Sequence, residues 1–237
     1  MIKLVICLLL TMIISYLLGS CNSAIIVVRC LKHEDIREHG SKNAGLTNTL
    51  RCYGKIPALL TLIGDLAKGI IAVLLSILMF RLIIGSGFPN ELPNWYPPVL
   101  DEISIGYISG FFAILGHIFP IYYDFKGGKG ILVASSVLIV VDPLTFAIII
   151  PFFALVLFIT RYVSVSSISA AAFYPILTFL LHFFVEKLPL ANCITHVILV
   201  ACTSALLIYM HRTNIKRLKE GTENKFSFNK KKEWSEE

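Results

Sequence analysis

Charge is what this sequence has least of: 15% of its 237 residues are Asp, Glu, Lys or Arg, against 56% hydrophobic. With a mean hydropathy of +0.78, that balance excludes an ordinary water-soluble globule, whose surface needs more polar residues than this. The six cysteines include no C-x-x-C pair and fall in apolar runs or beside basic connections. Free thiols are therefore expected, with neither a disulfide framework nor a metal site. Tandem repeats, low-complexity tracts and a separate soluble domain are also missing, so function has to reside in connections and in polar residues tolerated between apolar runs.

What the chain does have is long hydrophobic runs. Crossing about 30 Å of hydrocarbon takes roughly 20 apolar residues at 1.5 Å rise each. Candidate spans cover residues 4–28, 58–84, 105–123, 131–141, 146–160, 168–185 and 193–210. The fourth is short, because Asp142-Pro143 ends it, yet it counts as a span. These runs predict an all-α integral membrane protein of about seven transmembrane helices, one polytopic domain followed by a basic tail over 211–237. Leu18-Gly19-Ser20-Cys21 imitates a lipoprotein attachment box, but the apolar run continues through Val28 and a further span follows, so the segment is read as a retained first span.

The basic residues set an orientation. Lys3, Arg81 and Lys187 fall on one side and Lys68 lies inside a span, which leaves 17 of the 21 Lys and Arg on the other side. The positive-inside rule makes that side cytoplasmic, with the N-terminus outside and the C-terminus in the cytoplasm. The net charge of +6 is thus spread over loops that share one membrane face. That arrangement points to lipid headgroups or an anionic substrate rather than nucleic acid.

Four connections on this face carry chemistry. The first, Gly40-Ser41-Lys42-Asn43-Ala44-Gly45-Leu46-Thr47-Asn48 with Arg51, is dense in small and hydrogen-bonding residues and reads as a poor helix and a good binding loop. The same loop could equally be a solvated connection whose cations only set topology. In the next, Gly116-His117 leads to Phe125-Lys126-Gly127-Gly128-Lys129-Gly130 just before an apolar segment. Successive glycines at a helix start can turn backbone N–H groups toward an anion, although a flexible surface turn would look the same. It is not the Walker pattern G-x-x-x-x-G-K-[ST], since Ile131 stands where Ser or Thr would hold magnesium, so nucleotide binding is unsupported. Arg161 with Ser164, Ser166 and Ser167 forms the third cluster, and His211 with Asn214 at helical spacing forms the fourth. Asp65 and Lys68, three residues apart within a span, read as a structural ion pair.

Taken in order, these strings resemble the motifs of the PlsY family of acyl-phosphate:glycerol-3-phosphate acyltransferases, from Tyr16-Leu17-Leu18-Gly19-Ser20 to about Glu223. The sequence departs from the family pattern at Lys42, where Gly is usual, at Leu46 for Ala, at Cys21-Asn22 for an Ile-Pro-like pair, and at Asp124 for a small residue. The stretch from Gly85 to Glu102 is longer than the family's usual outer loop and is assigned no chemistry.

The resemblance implies a bacterial inner-membrane enzyme without cofactor. Its implied reaction moves an acyl group from acyl phosphate to the 1-hydroxyl of glycerol 3-phosphate, with functional coupling to an enzyme that supplies acyl phosphate. It places Ser41, Arg51, Lys129, Ser167, His211 and Asn214 at the reacting phosphates and adds Asn43, Asn48, Lys126 and Arg161 as phosphate-binding side chains. Gly127, Gly128 and Gly130 would act as backbone donors, and Glu223 would brace the tail. No nucleophile with its own base stands out, and no His is followed five residues later by Asp, so a covalent acyl-enzyme is not expected. A small transporter of an organic anion is the alternative. It would want polar groups near mid-membrane and related halves, and the sequence shows neither.

Overall fold

The computed structural model describes residues 2–84 and 97–226, and every regular element among them is helical. Ten α-helices follow in order: α1 Ile2–Ser20, α2 Ser23–Lys32, α3 Leu46–Tyr53, α4 Lys55–Ile84, α5 Glu102–Ile118, α6 Ile131–Val141, α7 Pro143–Thr160, α8 Val163–Leu180, α9 Leu190–Met210 and α10 Arg212–Lys219. Six segments are long and apolar enough to cross a membrane, the first being α1 and α2 together over Ile2–Lys32. At 1.5 Å per residue, α6 spans only about 16 Å, which falls short of a bilayer core. Residues 85–96 of the long outer stretch and residues 227–237 of the basic tail lie outside the described residues.

The bundle keeps an apolar core with polar side chains buried among it, and its outer surface is apolar as well, unlike that of a soluble protein. Leu9, Ile13, Leu59, Ile63, Leu74, Leu78, Phe158 and Ile198 are exposed, while Ser15, Ser76 and Ser109 are buried. The three serines hydrogen-bond across α1, α4 and α5, with Ser109 Oγ lying 2.8 Å from Ser15 Oγ and 3.1 Å from Ser76 Oγ. Lipid tails are as apolar as leucine, so such polar contacts and close backbone approach hold the helices together. The closest approach is α1 against α5. A Cβ on Gly116 would lie 2.1 Å from the Tyr16 carbonyl oxygen, and one on Gly19 2.0 Å from that of Ala113. Central α5 also packs on α4, α6 and α9.

The first predicted span, 4–28, is interrupted. Helix α1 stops at Ser20, and α2 restarts under Asn22, whose Oδ1 accepts the Ile25 N–H at 3.1 Å. This is N-capping. The break releases the Cys21 carbonyl, which accepts a hydrogen bond from Lys68 Nζ at 3.0 Å. The first connection also differs from expectation, because its second half is helical: Leu46 to Arg51 lie in α3, whose N-cap is Gly45.

Candidate active site

The connections singled out in the sequence meet at one end of the bundle. Helices α1, α5, α7 and α9 finish there, and α4, α6 and α8 begin there. The chain therefore stacks three loops and the start of α10 on one surface.

Lys129, half-buried in front of α6, donates a hydrogen bond to Asn214 Oδ1 on α10. The amide nitrogen of Asn214 donates in turn to Glu223 Oε1 at 2.6 Å. That carboxylate also accepts from Ser164 Oγ on α8 at 2.8 Å and from Arg217 Nε at 2.7 Å. One carboxylate thus ties the start of α8, α10 and, through Asn214, the lysine of the glycine loop. Burial pushes the Glu223 carboxyl up, but the bonds from Arg217, Asn214 and Ser164 outweigh it and hold the group below its ordinary value. Burial also pulls Lys129 down to about 8, helped by the Arg217 and Arg51 guanidiniums and opposed by Glu223. Burial is the larger cause, and the smaller contribution from Arg217 and Arg51 places positive potential beside the lysine, which suits an incoming anion.

His211 caps α9 and is buried, with Nδ1 2.8 Å from the Leu207 carbonyl oxygen. That contact puts the proton on Nδ1 and leaves Nε2 as an acceptor. Burial, with a smaller push from Lys129, lowers its pKa to about 4, so the ring is neutral at pH 7. Ser167, also buried, donates Oγ–H to the Val163 carbonyl at 2.9 Å within the first turn of α8. Its oxygen lone pairs stay available.

The first loop is held by its own residues. Buried Asn48 accepts the Ser41 N–H at 2.9 Å and donates to the His39 carbonyl at 3.0 Å. The expected phosphate contact from Asn48 is thereby replaced by a structural role, because its amide is spent on fixing the loop that presents Ser41. Asn43 is part of a local turn, with its carbonyl accepting the Gly45 N–H at 3.0 Å. Lys42, the departure from the family's glycine, stands at φ +59°. That left-handed conformation costs a non-glycine residue about 1–2 kcal/mol.

The glycine loop corrects a second expectation. The Gly127 N–H donates to the Ile118 carbonyl at 3.0 Å and the Gly128 N–H to that of His117 at 3.1 Å. Those donors are occupied, so these glycines serve close packing instead. A Cβ on Gly128 would lie 2.1 Å from His117 Nε2 and 2.5 Å from the Ala44 carbonyl oxygen. Gly130, at φ +84°, turns the chain into α6.

Beneath the loop lies a chain that the sequence showed only in part. Asp65 and Lys68 form the expected pair at 2.8 Å, and Lys68 Nζ also lies 2.9 Å from His117 Nδ1. All three side chains are buried. The pair therefore props His117, and His117 supports Gly128. Arg37 makes a second brace by donating to the Tyr123 carbonyl at 2.8 Å, which docks the first loop on the glycine loop.

Two predicted cations occupy exposed positions. Lys126 is exposed and lines a cleft with Asp35, Arg37, Glu38, Lys42, Asp124 and Gly127, where acids and bases balance. Arg161 is exposed at the α7–α8 turn, at φ +63°, and its carbonyl accepts the Phe226 N–H. One member of the network was missed: Arg217 was visible only as a tail cation, although the spacing from Asn214 to Arg217 puts those two on one face of α10. Ser164, seen as part of the third cluster, gains a specific partner in Glu223.

Fold and site together define a polytopic membrane protein with a cation-bearing polar network at one end of its helices. The family model described as glycerol-3-phosphate acyltransferase matches residues 9–221. Glycerol-3-phosphate acyltransferases of Chlorobaculum parvum and Chlorobaculum tepidum are each 36% identical to the chain, covering 92% of it and 96% of themselves. A crystal structure of PlsY (YgiH), an integral membrane glycerol 3-phosphate acyltransferase in its glycerol 3-phosphate form, matches with a TM-score of 0.70 and 30% identity, over 93% of this chain and 96% of that one. Its lysophosphatidic acid form matches at 0.68 and 28%, over 93% and 95%. The chain belongs to the PlsY family of glycerol-3-phosphate acyltransferases and is a multi-pass membrane acyltransferase, so the transporter alternative is set aside.

Proposed function

We propose that the protein transfers an acyl group from acyl phosphate to the 1-hydroxyl of glycerol 3-phosphate, releasing 1-acylglycerol 3-phosphate (lysophosphatidic acid) and inorganic phosphate. The observation that carries this reading is the Lys129–Asn214–Glu223–Arg217 network, which gathers two cations around a single carboxylate at one end of the bundle. Two phosphorylated substrates need such a field. Holding them together turns a bimolecular step into a unimolecular one. The relatives solved in glycerol 3-phosphate and lysophosphatidic acid forms support the acceptor and the product.

In this mechanism Arg51 and Lys129 bind phosphate oxygens, while Ser41, Ser167 and Asn214 complete the hydrogen bonding. The glycerol hydroxyl oxygen attacks the acyl carbon, and the C–O bond to phosphate breaks. The hydroxyl proton goes to a substrate phosphate. A phosphate monoester, with a second pKa of about 6, is a stronger base than a histidine lowered to about 4. His211 Nε2 accordingly acts as the hydrogen-bond acceptor that aims the hydroxyl, and Arg161 and Lys126 act at longer range as attractors of anions.

The pocket end carries most of the basic residues, which supports placing it at the cytoplasmic face of a bacterial plasma membrane. Helix α6 carries the chain from the pocket end to the opposite end, so it counts as a seventh, short pass. The N-terminus is then outside, and the pocket is open to acyl phosphate made by a cytoplasmic partner enzyme.

The deciding assay gives purified protein glycerol 3-phosphate with acyl phosphate, acyl-CoA or acyl carrier protein thioester in parallel. Phosphate release coupled to acylglycerol phosphate formation is expected with the first donor alone. Equal turnover with a thioester donor overturns the donor assignment.

A further inference from the structure

A second polar cluster lies at the other end of the same helices. Asp142 occupies the one-residue break between α6 and α7, His182 sits in the π-helical turn Leu181–Val185 after α8, and Glu186 caps that turn. His182 Nε2 is 3.1 Å from Asp142 Oδ2 and 4.0 Å from Glu186 Oε2, and the three ligand atoms lie within 4.8 Å of one another. Nitrogen and oxygen ligands about 2.0–2.2 Å from a tetrahedral zinc ion sit roughly 3.4 Å apart; the His182–Asp142 pair is near that spacing, and the exposed Glu186 carboxylate would move inward to reach it.

Counting protons shows that something is missing. His182 Nδ1 is 2.9 Å from His196 Nδ1, and His196 Nε2 is 2.9 Å from Asp101 Oδ1. With the His182–Asp142 contact, two rings make three close polar contacts, and each contact needs one proton. Two neutral imidazoles carry only two. If Asp101 takes the His196 Nε2–H and His196 Nδ1 takes the His182 Nδ1–H, the bare Nε2 lone pair of His182 faces the Asp142 carboxylate. Tyr107 Oη donates to that same Asp142 oxygen at 3.0 Å, and the two acceptors, 3.1 Å apart, repel unless a third proton makes one ring an imidazolium or a metal cation lies against both.

Charge shows the same deficit. Among the described residues, the ion pairs of Asp101, Asp142 and Glu186 are all to these two histidines. Both histidines and Asp142 are buried. Thr145 Oγ1 and Thr178 Oγ1, on the helical turns that carry Asp142 and His182, are buried without a hydrogen-bond partner. Buried carboxylates are stable when paired or when they coordinate a metal.

We propose that Asp142, His182 and Glu186 bind one divalent first-row transition-metal ion of the zinc class, with a position left open to water. His196 and Asp101 form the outer relay that fixes the His182 tautomer, as metal-bound histidines require. This departs from the sequence-based expectation of no metal. The ion would pin the α6–α7 junction to the α8–α9 turn, at the opposite end from the acyl-transfer pocket.

The test uses the full chain in detergent, stripped with chelator and titrated with ZnCl2 or CoCl2. Metal content, the cobalt d–d absorption and thermal stability are followed together. One ion per chain, a tetrahedral-type cobalt band and a higher Tm are expected. Glu186→Gln, on the exposed turn, should weaken binding at least about tenfold, and His196→Gln by about 10- to 100-fold. His182→Gln should abolish binding, and if that variant does not fold the Glu186 variant decides. No stoichiometric metal in the wild type, or wild-type affinity in Glu186→Gln, overturns the site. So does an NMR spectrum showing that the ring pair itself carries the third proton and binds no metal.

Discussion

Lys129 and Asn214 stand 85 residues apart in sequence, yet the lysine ammonium donates directly to the asparagine amide oxygen. That contact joins the glycine loop to the helix after the last span. Through Glu223 it also reaches Ser164 and Arg217, so a change at any of these residues bears on how the lysine is presented.

Lys129→Ala and Arg51→Ala should each lower acyl transfer by about 10²–10³-fold, as expected when a cation that clamps a reacting phosphate is lost. The variants should still insert in the membrane. Steady-state phosphate release on purified protein gives the answer, and near-normal turnover in either variant removes that residue from the site.

Lys129 also makes stability depend on pH. Its folded pKa of about 8 lies below the ordinary 10.5, so between those values the unfolded chain binds more protons. Stability of the substrate-free protein should therefore rise as pH goes from about 8 to 10.5. Thermal unfolding across this window should show the rise in wild type and a flatter profile in Lys129→Met.

His211 acts on the acid side. Its folded pKa of about 4 lies below the ordinary 6.5, so stability should fall as pH drops from 6.5 toward 4, by roughly 3 kcal/mol in all. His211→Asn should remove that slope. In catalysis the same variant should lower kcat and leave the acid limb of the pH–rate profile in place, because the limb belongs to a substrate phosphate. Disappearance of the limb assigns the proton to His211 instead.

Lys68→Met strips the buried Asp65 carboxylate of its ammonium partner, leaving only His117 Nδ1 3.7 Å away, and removes the prop of His117. The expected cost is about 3–5 kcal/mol of stability, with raised KM because the Gly128 loop loses support. Denaturant unfolding and KM measured together check this; a loss of stability with unchanged KM would show that the chain supports the bundle but not the loop.

The helical membrane class was legible in the sequence because a bilayer imposes a length and an apolarity that can be counted. The short α6 was visible too, since Asp142-Pro143 ends its run. Of the site, Lys129, Asn214, His211 and Glu223 were legible through spaced loop motifs and family resemblance. Tertiary structure decided what spacing does not encode. Whether a backbone N–H is free depends on which carbonyl packs beside it, so Gly127 and Gly128 changed from donors to packing elements. Whether an amide is available depends on its neighbours, so Asn48 became a brace. The break at Cys21–Asn22 has meaning only because Lys68, far along the chain, reaches the carbonyl it exposes. The Asp142–His182–Glu186 cluster was only half visible: His182 and Glu186 lie four residues apart on one turn, but helix packing alone brings Asp142 to them.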